Sequence, residues 1–216
     1  LTFNDTTTYL LSEGVSGRKR LSHSIKLGTD YYINSKNTIT ISGTYNIGEG
    51  RNWELEKSTK LNYNELFSNY YENNDTETDE RNTIDLMLNY KKSFKNKGEY
   101  ITFDANYSTS DELETELNSL QYYLSDISTH NGFPINQQNS TDEKSTLTSL
   151  QTDYTYPFSK NGRFEAGAKS IFREIDNDYQ VLLFSNTTNS WINNLNLSNR
   201  FIYDEQIHAA YATYAN

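Results

Sequence analysis

Residues 150–172 read LQTDYTYPFSKNGRFEAGAKSIF. Leu150, Thr152, Tyr154, Tyr156 and Phe158 alternate with Gln151, Asp153 and Thr155. After Ser159-Lys160-Asn161-Gly162 the alternation resumes. Phe164, Ala166, Ala168, Ser170 and Phe172 take one face; Glu165, Lys169 and Arg173 take the other. Successive side chains of a strand point to opposite sides, so this pattern places an apolar and a polar face on two strands. The Asn-Gly pair between them marks a tight hairpin.

The unit recurs upstream. Leu21–Ile33 and Thr38–Gly50 flank Asn34-Ser35-Lys36-Asn37, and Arg81–Phe94 and Glu99–Ser110 flank Lys95-Asn96-Lys97-Gly98. Tyr31, Tyr90 and Tyr154 fall at equivalent places before the three turns, at separations of 59 and 64 residues. A last alternating run, 200–214, sets Phe201, Tyr203, Ile207, Ala209 and Tyr211 against Asp204, Gln206 and His208. The chain is thus expected to be all-β, an antiparallel up-and-down meander of seven long strands. Hairpins lie at about 21–50, 81–110 and 146–175, with the last strand at 200–214 and long loops at about 51–80, 111–145 and 176–199. Leu1–Lys19 reads as the tail of a preceding strand and a loop. Leu113, Leu117, Leu120 and Leu124 are spaced for a short helix over 111–126.

Short turns at one end and long loops at the other suit part of a transmembrane outer-membrane β-barrel. Lipid cannot hydrogen-bond a backbone, so a closed sheet is the way strands span it. The side chains expected to face lipid are Ile25, Leu27, Ile39, Ile41, Tyr45, Leu86, Leu88, Ile101, Phe103, Tyr154, Phe164, Phe172, Ile207 and Tyr211. Tyr31, Tyr90, Tyr154 and Tyr156 sit beside the turns, where an interfacial girdle belongs. A soluble β-sandwich also alternates. Its strands are usually about 5–6 residues long, which these runs exceed twofold.

Composition narrows the chemistry. Of 216 residues only 34% are hydrophobic, yet 14% are aromatic and 18 are Tyr, too many for a disordered chain. The net charge of −10 argues against a nucleic-acid partner. With no cysteine, disulfides, thiolate catalysis and Cys-ligated metals are excluded. No run approaches a transmembrane helix, and Leu1–Leu10 does not read as a signal peptide. Both ends fall inside strand-like patterns, as in a piece of a longer chain.

Catalytic and metal signals are weak. His23, His130 and His208 match no ligand spacing, and Asp176-Asn177-Asp178 lacks a Gly-centred calcium loop. Gly48-Glu49-Gly50 is followed by no Lys-Ser/Thr, and no nucleophile elbow exists. The chain is expected to be no enzyme and to carry no cofactor or metal. Ligand contacts are expected from aromatics of the long segments: Trp53, Tyr70, Tyr71, Tyr122, Tyr123 and Trp191. The plainer reading is that these rings pack the loops together.

Four stretches carry a resemblance: RLSHSIKLGTDYYINSKNTITISGTYN, IDLMLNYKKSFKNKGEYITFDANYS, LQTDYTYPFSKNGRFEAGAKSIFREIDNDY and FIYDEQIHAAYATY. They resemble the barrel region of TonB-dependent receptors, in particular the outer-membrane protein β-barrel family. The resemblance implies a Gram-negative outer-membrane location with extracellular long loops, and a barrel of about 22 strands closed by an N-terminal plug. It implies uptake of a bulky nutrient energised by TonB through an N-terminal part not in this sequence. It names as partners membrane lipid, the rest of the barrel and plug, and a surface lipoprotein. Two other functions stay open: an outer-membrane structural or adhesion barrel that transports nothing, and a soluble β-rich glycan-binding module.

Overall fold

The computed structural model describes residues 8–62, 64–159 and 162–215. Eight strands form one antiparallel sheet: β1 (Tyr9–Asn34), β2 (Asn37–Leu61), β3 (Phe67–Ser93), β4 (Tyr100–Tyr123), β5 (Ile135–Pro157), β6 (Arg163–Ser185), β7 (Ser190–Asn193) and β8 (Asn199–Ala215). β1 to β6 pair in sequence order, and β7 and β8 lie one after the other along the far side of β6. The sheet is open, with β1 at one edge and β7 and β8 at the other.

The three hairpin turns come together at one end, called proximal here. At Ser35-Lys36 the Asn34 side chain accepts from the Lys36 amide (2.9 Å) and from Asn37 Nδ2 (2.8 Å). Between β3 and β4, the Phe94 amide donates to the Glu99 carbonyl at 2.9 Å. Between β5 and β6, Phe158 donates to the Gly162 carbonyl at 3.1 Å; Lys160 and Asn161 of the expected Asn-Gly turn lie outside the described residues.

The distal end differs from the expectation. The segments 51–80, 111–145 and 176–199 are mostly strand, because β1 to β6 run for 23–27 residues each. The connections left are 62–66, 124–134, 186–189 and 194–198. The first part of the chain is likewise strand from Tyr9, with no loop before Lys19; residues 1–7 lie outside the described ones. No helix occurs over 111–126, where β4 runs to Tyr123. A leucine spacing of four is even, so Leu113 and Leu117 share a face in a strand as they would in a helix. Register with β3 and β5 decides for the strand, and Leu120 falls on its other face.

Cross-strand partners share a face, so the ladder sorts the side chains. One row runs Tyr31–Ile39–Tyr90–Phe103–Thr152–Ala168 across six strands. Rows two and four residues away add Leu88 and Leu150, then Leu27, Leu86, Tyr107 and Phe172. Twelve of the fourteen residues expected on the apolar face are there together. Ile207 and Tyr211 are not: they pair with Ile171 and Gly167, on the polar face. The reason lies in β6. Gly167 has no side chain, so the Tyr211 ring lies across it and its hydroxyl reaches Asp153 Oδ1 of β5 at 2.7 Å. Arg173 and Glu205, also on this face, add an ion pair at 3.4 Å. Both contacts hold β8 in this register against the pull of its own hydrophobic pattern.

The sheet is a single layer without a core. Among the described residues Val181 is the buried hydrophobic side chain and Ser58 the buried polar one. Leu27, Ile25 and Leu86 are 74%, 62% and 51% exposed. An apolar face this wide, left uncovered, is unfavourable in water and marks a surface meant for another phase or partner.

Candidate functional site

The apolar face is a belt, not a full-length stripe. On β2 it runs from Ile39 to Ile47 before Glu49 and Arg51; on β3 it runs from Tyr90 to Ile84 before Asn82 and Glu80. An outward run of this length fits the 9–11 tilted residues of a membrane β-strand. Aromatic rings border it proximally. Tyr90 donates to Asn37 Oδ1 (2.7 Å) and Tyr154 to Glu99 Oε1 (2.8 Å), while Phe158 stacks on Tyr214 with centroids 5.1 Å apart.

Behind the belt the opposite face is polar and internally paired. Thr40 donates to Asp30 (2.5 Å), Asn89 to Asp104 (2.6 Å) and Ser108 to Asp85 (2.6 Å). Two clefts open on this polar face, in the distal half.

The first, of about 600 Å³, is lined by Ser16, Gly17, Arg18, Asn52, Trp53, Glu54, Asp75, Glu77 and Glu116, so that Trp53 of the expected ligand-contacting aromatics borders it. It belongs to an acidic band on segments expected from the sequence to be a long loop over 51–80 and a short helix over 111–126. Asp75, Glu77 and Asp79 of β3 face Glu112, Glu114 and Glu116 of β4 because both triplets repeat with period two. Arg20 pairs with Asp79 at 3.8 Å and Arg81 with Glu112 at 3.2 Å. Burial raises the Glu114 carboxyl above its ordinary value, and the charges of Glu77, Glu112, Glu116 and Asp79 raise it further. Glu112-x-Glu114-x-Glu116 was the signal available for this band, once the segment is taken as strand.

The second cleft, of about 640 Å³, lies nearer the distal tip. Leu10, Glu56, Lys60, Asn69, Tyr71, Asn73, Asn118, Leu120 and Tyr122 line it. It separates the six aromatics singled out from the sequence. Tyr70 pairs with Tyr123 and Tyr71 with Tyr122 in the ladder, so the two pairs stand on opposite faces at one level. On the apolar-face side, Tyr70 and Tyr123 both donate to Glu72, at 2.8 and 2.9 Å, and Lys57 lies 3.7 Å from the same carboxylate. Burial and this carboxylate push the Tyr70 hydroxyl up to about 12. Burial opposes ionisation of Glu72, but the two phenols and Lys57 outweigh it and hold its carboxyl low. On the polar face, Tyr71 and Tyr122 line the cleft. Trp53 lies against Gly17 and Trp191 edge-on to Phe184 at 5.3 Å, each away from it.

Among the described residues no three His, Cys, Asp or Glu side chains gather to hold a metal ion. In Asp176-Asn177-Asp178 alternation sends Asn177 to the other face, and Arg200 Nε holds Asp176 Oδ1 at 2.8 Å. His208 Nδ1 sits 3.0 Å from Ser170 Oγ, and His130 packs edge-on to Tyr123 at 5.1 Å. The surface as a whole has the chemistry of binding: hydroxyls, amides, carboxylates and rings on a rigid ladder.

No curated protein matches the chain. Among solved structures, the ferric yersiniabactin uptake receptor FyuA from Yersinia pestis is 9% identical, with a TM-score of 0.20, over 96% of this chain and 43% of that one. The ferric-catecholate import receptor Fiu from E. coli is 7% identical, with a TM-score of 0.18, over 98% of this chain and 52% of that one. The outer membrane protease OmpT from Escherichia coli is 10% identical, with a TM-score of 0.18, over 100% and 99% of the two chains. The chain therefore spans about half the length of the two import receptors, and at these scores the likeness carries no weight. The sequence itself is decisive: residues 92–216, more than half of the chain, match one family. The chain belongs to the outer membrane protein beta-barrel family, and its place is the outer membrane, with lipid against its strands.

Proposed function

We propose that this chain is a stretch of the wall of an outer-membrane receptor that takes up a bulky solute, with TonB supplying the energy. One observation carries the reading: a single-layer sheet whose two faces demand different solvents. The apolar belt needs lipid, and the polar face with its clefts needs a wet lumen. The tight proximal turns then lie in the periplasm and the distal strand ends outside the cell. The free ladders of β1 and β8 are satisfied by further strands of the same barrel. The resemblance to TonB-dependent receptors supports transport over a purely structural barrel. A plug inside the barrel and a surface lipoprotein above it belong to the same reading.

These 216 residues contain no cysteine, so single cysteines introduced here, in a whole protein freed of any cysteine elsewhere, test the reading in intact cells. Cysteine at Ser42 is expected to react with a water-soluble maleimide and cysteine at Ile41 to be protected. Equal reaction at both sites overturns the wall assignment. Retention of the whole protein by the purified periplasmic domain of TonB is expected for the receptor. A protein that passes the cysteine test but ignores TonB is a barrel that transports nothing by this route.

A further inference from the structure

We infer that the distal cleft around Tyr71 and Tyr122 is a binding site for a neutral oligosaccharide; this rests on the reading of the polar face as the lumen of a receptor. Ring use comes first. The four tyrosines of this level are two pairs on opposite faces, and they are treated differently. The hydroxyls of Tyr70 and Tyr123 are both spent on Glu72. Those of Tyr71 and Tyr122 have no hydrogen-bond partner among the described residues, although both rings are half-buried. The two rings lie with centroids 5.7 Å apart and planes at 55°, a shallow V open to the cleft. Such a pair offers apolar faces to the C–H side of a sugar ring and free hydroxyls to its edge.

The remaining lining selects against other ligands. Asn118 Nδ2 donates to Asn73 Oδ1 (2.8 Å) and to Asp75 Oδ1 (2.6 Å), and Asn73 Nδ2 to Asp75 Oδ2 (2.8 Å). This chain of bonds fixes the amides with Asn118 Oδ1 left as an acceptor. A wholly apolar ligand would desolvate these groups without replacing their hydrogen bonds, which is costly. Glu56 and Lys60 contribute one charge of each sign, so the cleft has no net preference for an ion. Directly proximal to it the carboxylates of Asp75, Glu77 and Glu116 repel phosphorylated or otherwise anionic solutes. The volume, about 640 Å³, lies within the ~300–1,000 Å³ usual for small-ligand sites. Hydroxyl-rich, uncharged and ring-shaped is the ligand chemistry these walls leave.

The whole protein, purified in detergent micelles, is tested on a printed array of neutral and anionic oligosaccharides and of basic peptides. The expected result is binding to neutral oligosaccharides. Affinity should fall at least about tenfold in Tyr71→Ala and in Tyr122→Ala, and stay unchanged in Tyr70→Ala on the opposite face. Tyr71→Phe keeps the ring and removes the hydroxyl; a partial loss is expected. Binding that survives Tyr71→Ala and Tyr122→Ala overturns the site. An array that captures basic peptides, anionic sugars or nothing overturns the ligand class. Where the cysteine test at Ser42 and Ile41 still succeeds, the receptor reading stands without this site; where that test fails, both fall.

Discussion

Arginine placed at Leu86 and at its neighbour Met87 puts the two-faced wall under a quantitative test. The residues adjoin in β3 and point to opposite faces. Leu86 shares a row with Gly43 and Tyr107; Met87 shares one with Ser42 and Asn106. Leu86 is four residues from Asn82, the first outward polar residue distally, and six from Lys92 proximally. At ~3.3 Å per residue and a tilt of about 40°, it lies roughly 10 Å below one boundary and 15 Å above the other, near mid-belt. Arginine facing lipid at that depth costs about 2–4 kcal/mol. At Met87 the guanidinium enters a recess of mixed lining with Ser42, Asp85, Asn106, Leu147 and Lys26, where the Asp85 carboxylate offsets Lys26 and water is at hand. The cost there should be about 0–1 kcal/mol, as for an exposed polar substitution. The two variants should thus differ by about 2 kcal/mol, a factor of roughly 30 in the folding equilibrium. Urea titration of the whole protein in phospholipid vesicles, read by its heat-sensitive mobility on gels, measures both. Met87→Arg costing as much as Leu86→Arg would falsify the assignment of faces.

The same measurement on β8 tests its register: Ala210→Arg should cost more than Ile207→Arg, since Ala210 shares the apolar face and Ile207 the polar one. The opposite order would place β8 one residue away from the pairing of Ala168 with Ala210. Gly167→Ala should lift the Tyr211 ring off β6 and lose the bond to Asp153, at a cost of about 0.5–1.5 kcal/mol. Tyr211→Phe should then add little to it, and full additivity in a double-mutant cycle would refute the joint. The Tyr70 phenol, held near 12 against an ordinary 10.0, titrates late because burial and Glu72 favour its neutral form. The stabilisation from that bond is complete below pH 10 and disappears as pH rises through about 12. Glu72→Gln should bring the phenolate absorbance transition back toward 10.0; an unmoved transition would show that the carboxylate has no part in it.

The hairpins were legible because each strand has one wet and one dry face within the belt. Alternation such as Ile39, Ile41, Tyr45 against Thr40, Ser42, Thr44 leaves little room for another period. Distally the same backbone continues with polar groups on both faces, so the alternation fades and the segments read as loops. Gly48-Glu49-Gly50 and Asn73-Asn74-Asp75 look like turns in isolation. Only the partner strands, through Glu49 with Glu80 and Asn73 with Leu120, show that they are extended. The reversal of β8 was illegible for a related reason. Its apolar residues are correctly identified, but which side they take is set by Gly167, Asp153 and Arg173 on other strands. The aromatic residues were legible as a set and not as a site, since adjacent positions such as Tyr70 and Tyr71 must part to opposite faces.

Strand length and membrane span are therefore encoded separately. A ladder of 23–27 residues needs only paired neighbours, and water tolerates its polar side chains as well as a lumen does. The span is encoded in how far apolar groups persist on one face, and that run ends after about nine residues, as a bilayer requires. The remaining length of each strand raises the wall beyond the membrane. It carries the acidic band and the tyrosine cleft on the polar face. On a flexible loop, carboxylates as close as those of Asp75, Glu77, Glu112, Glu114 and Glu116 would move apart. On neighbouring rungs of a sheet they cannot, and their charges add to burial in raising the Glu114 carboxyl. Long strands in place of loops thus give the distal half of the polar face a fixed electrostatic profile.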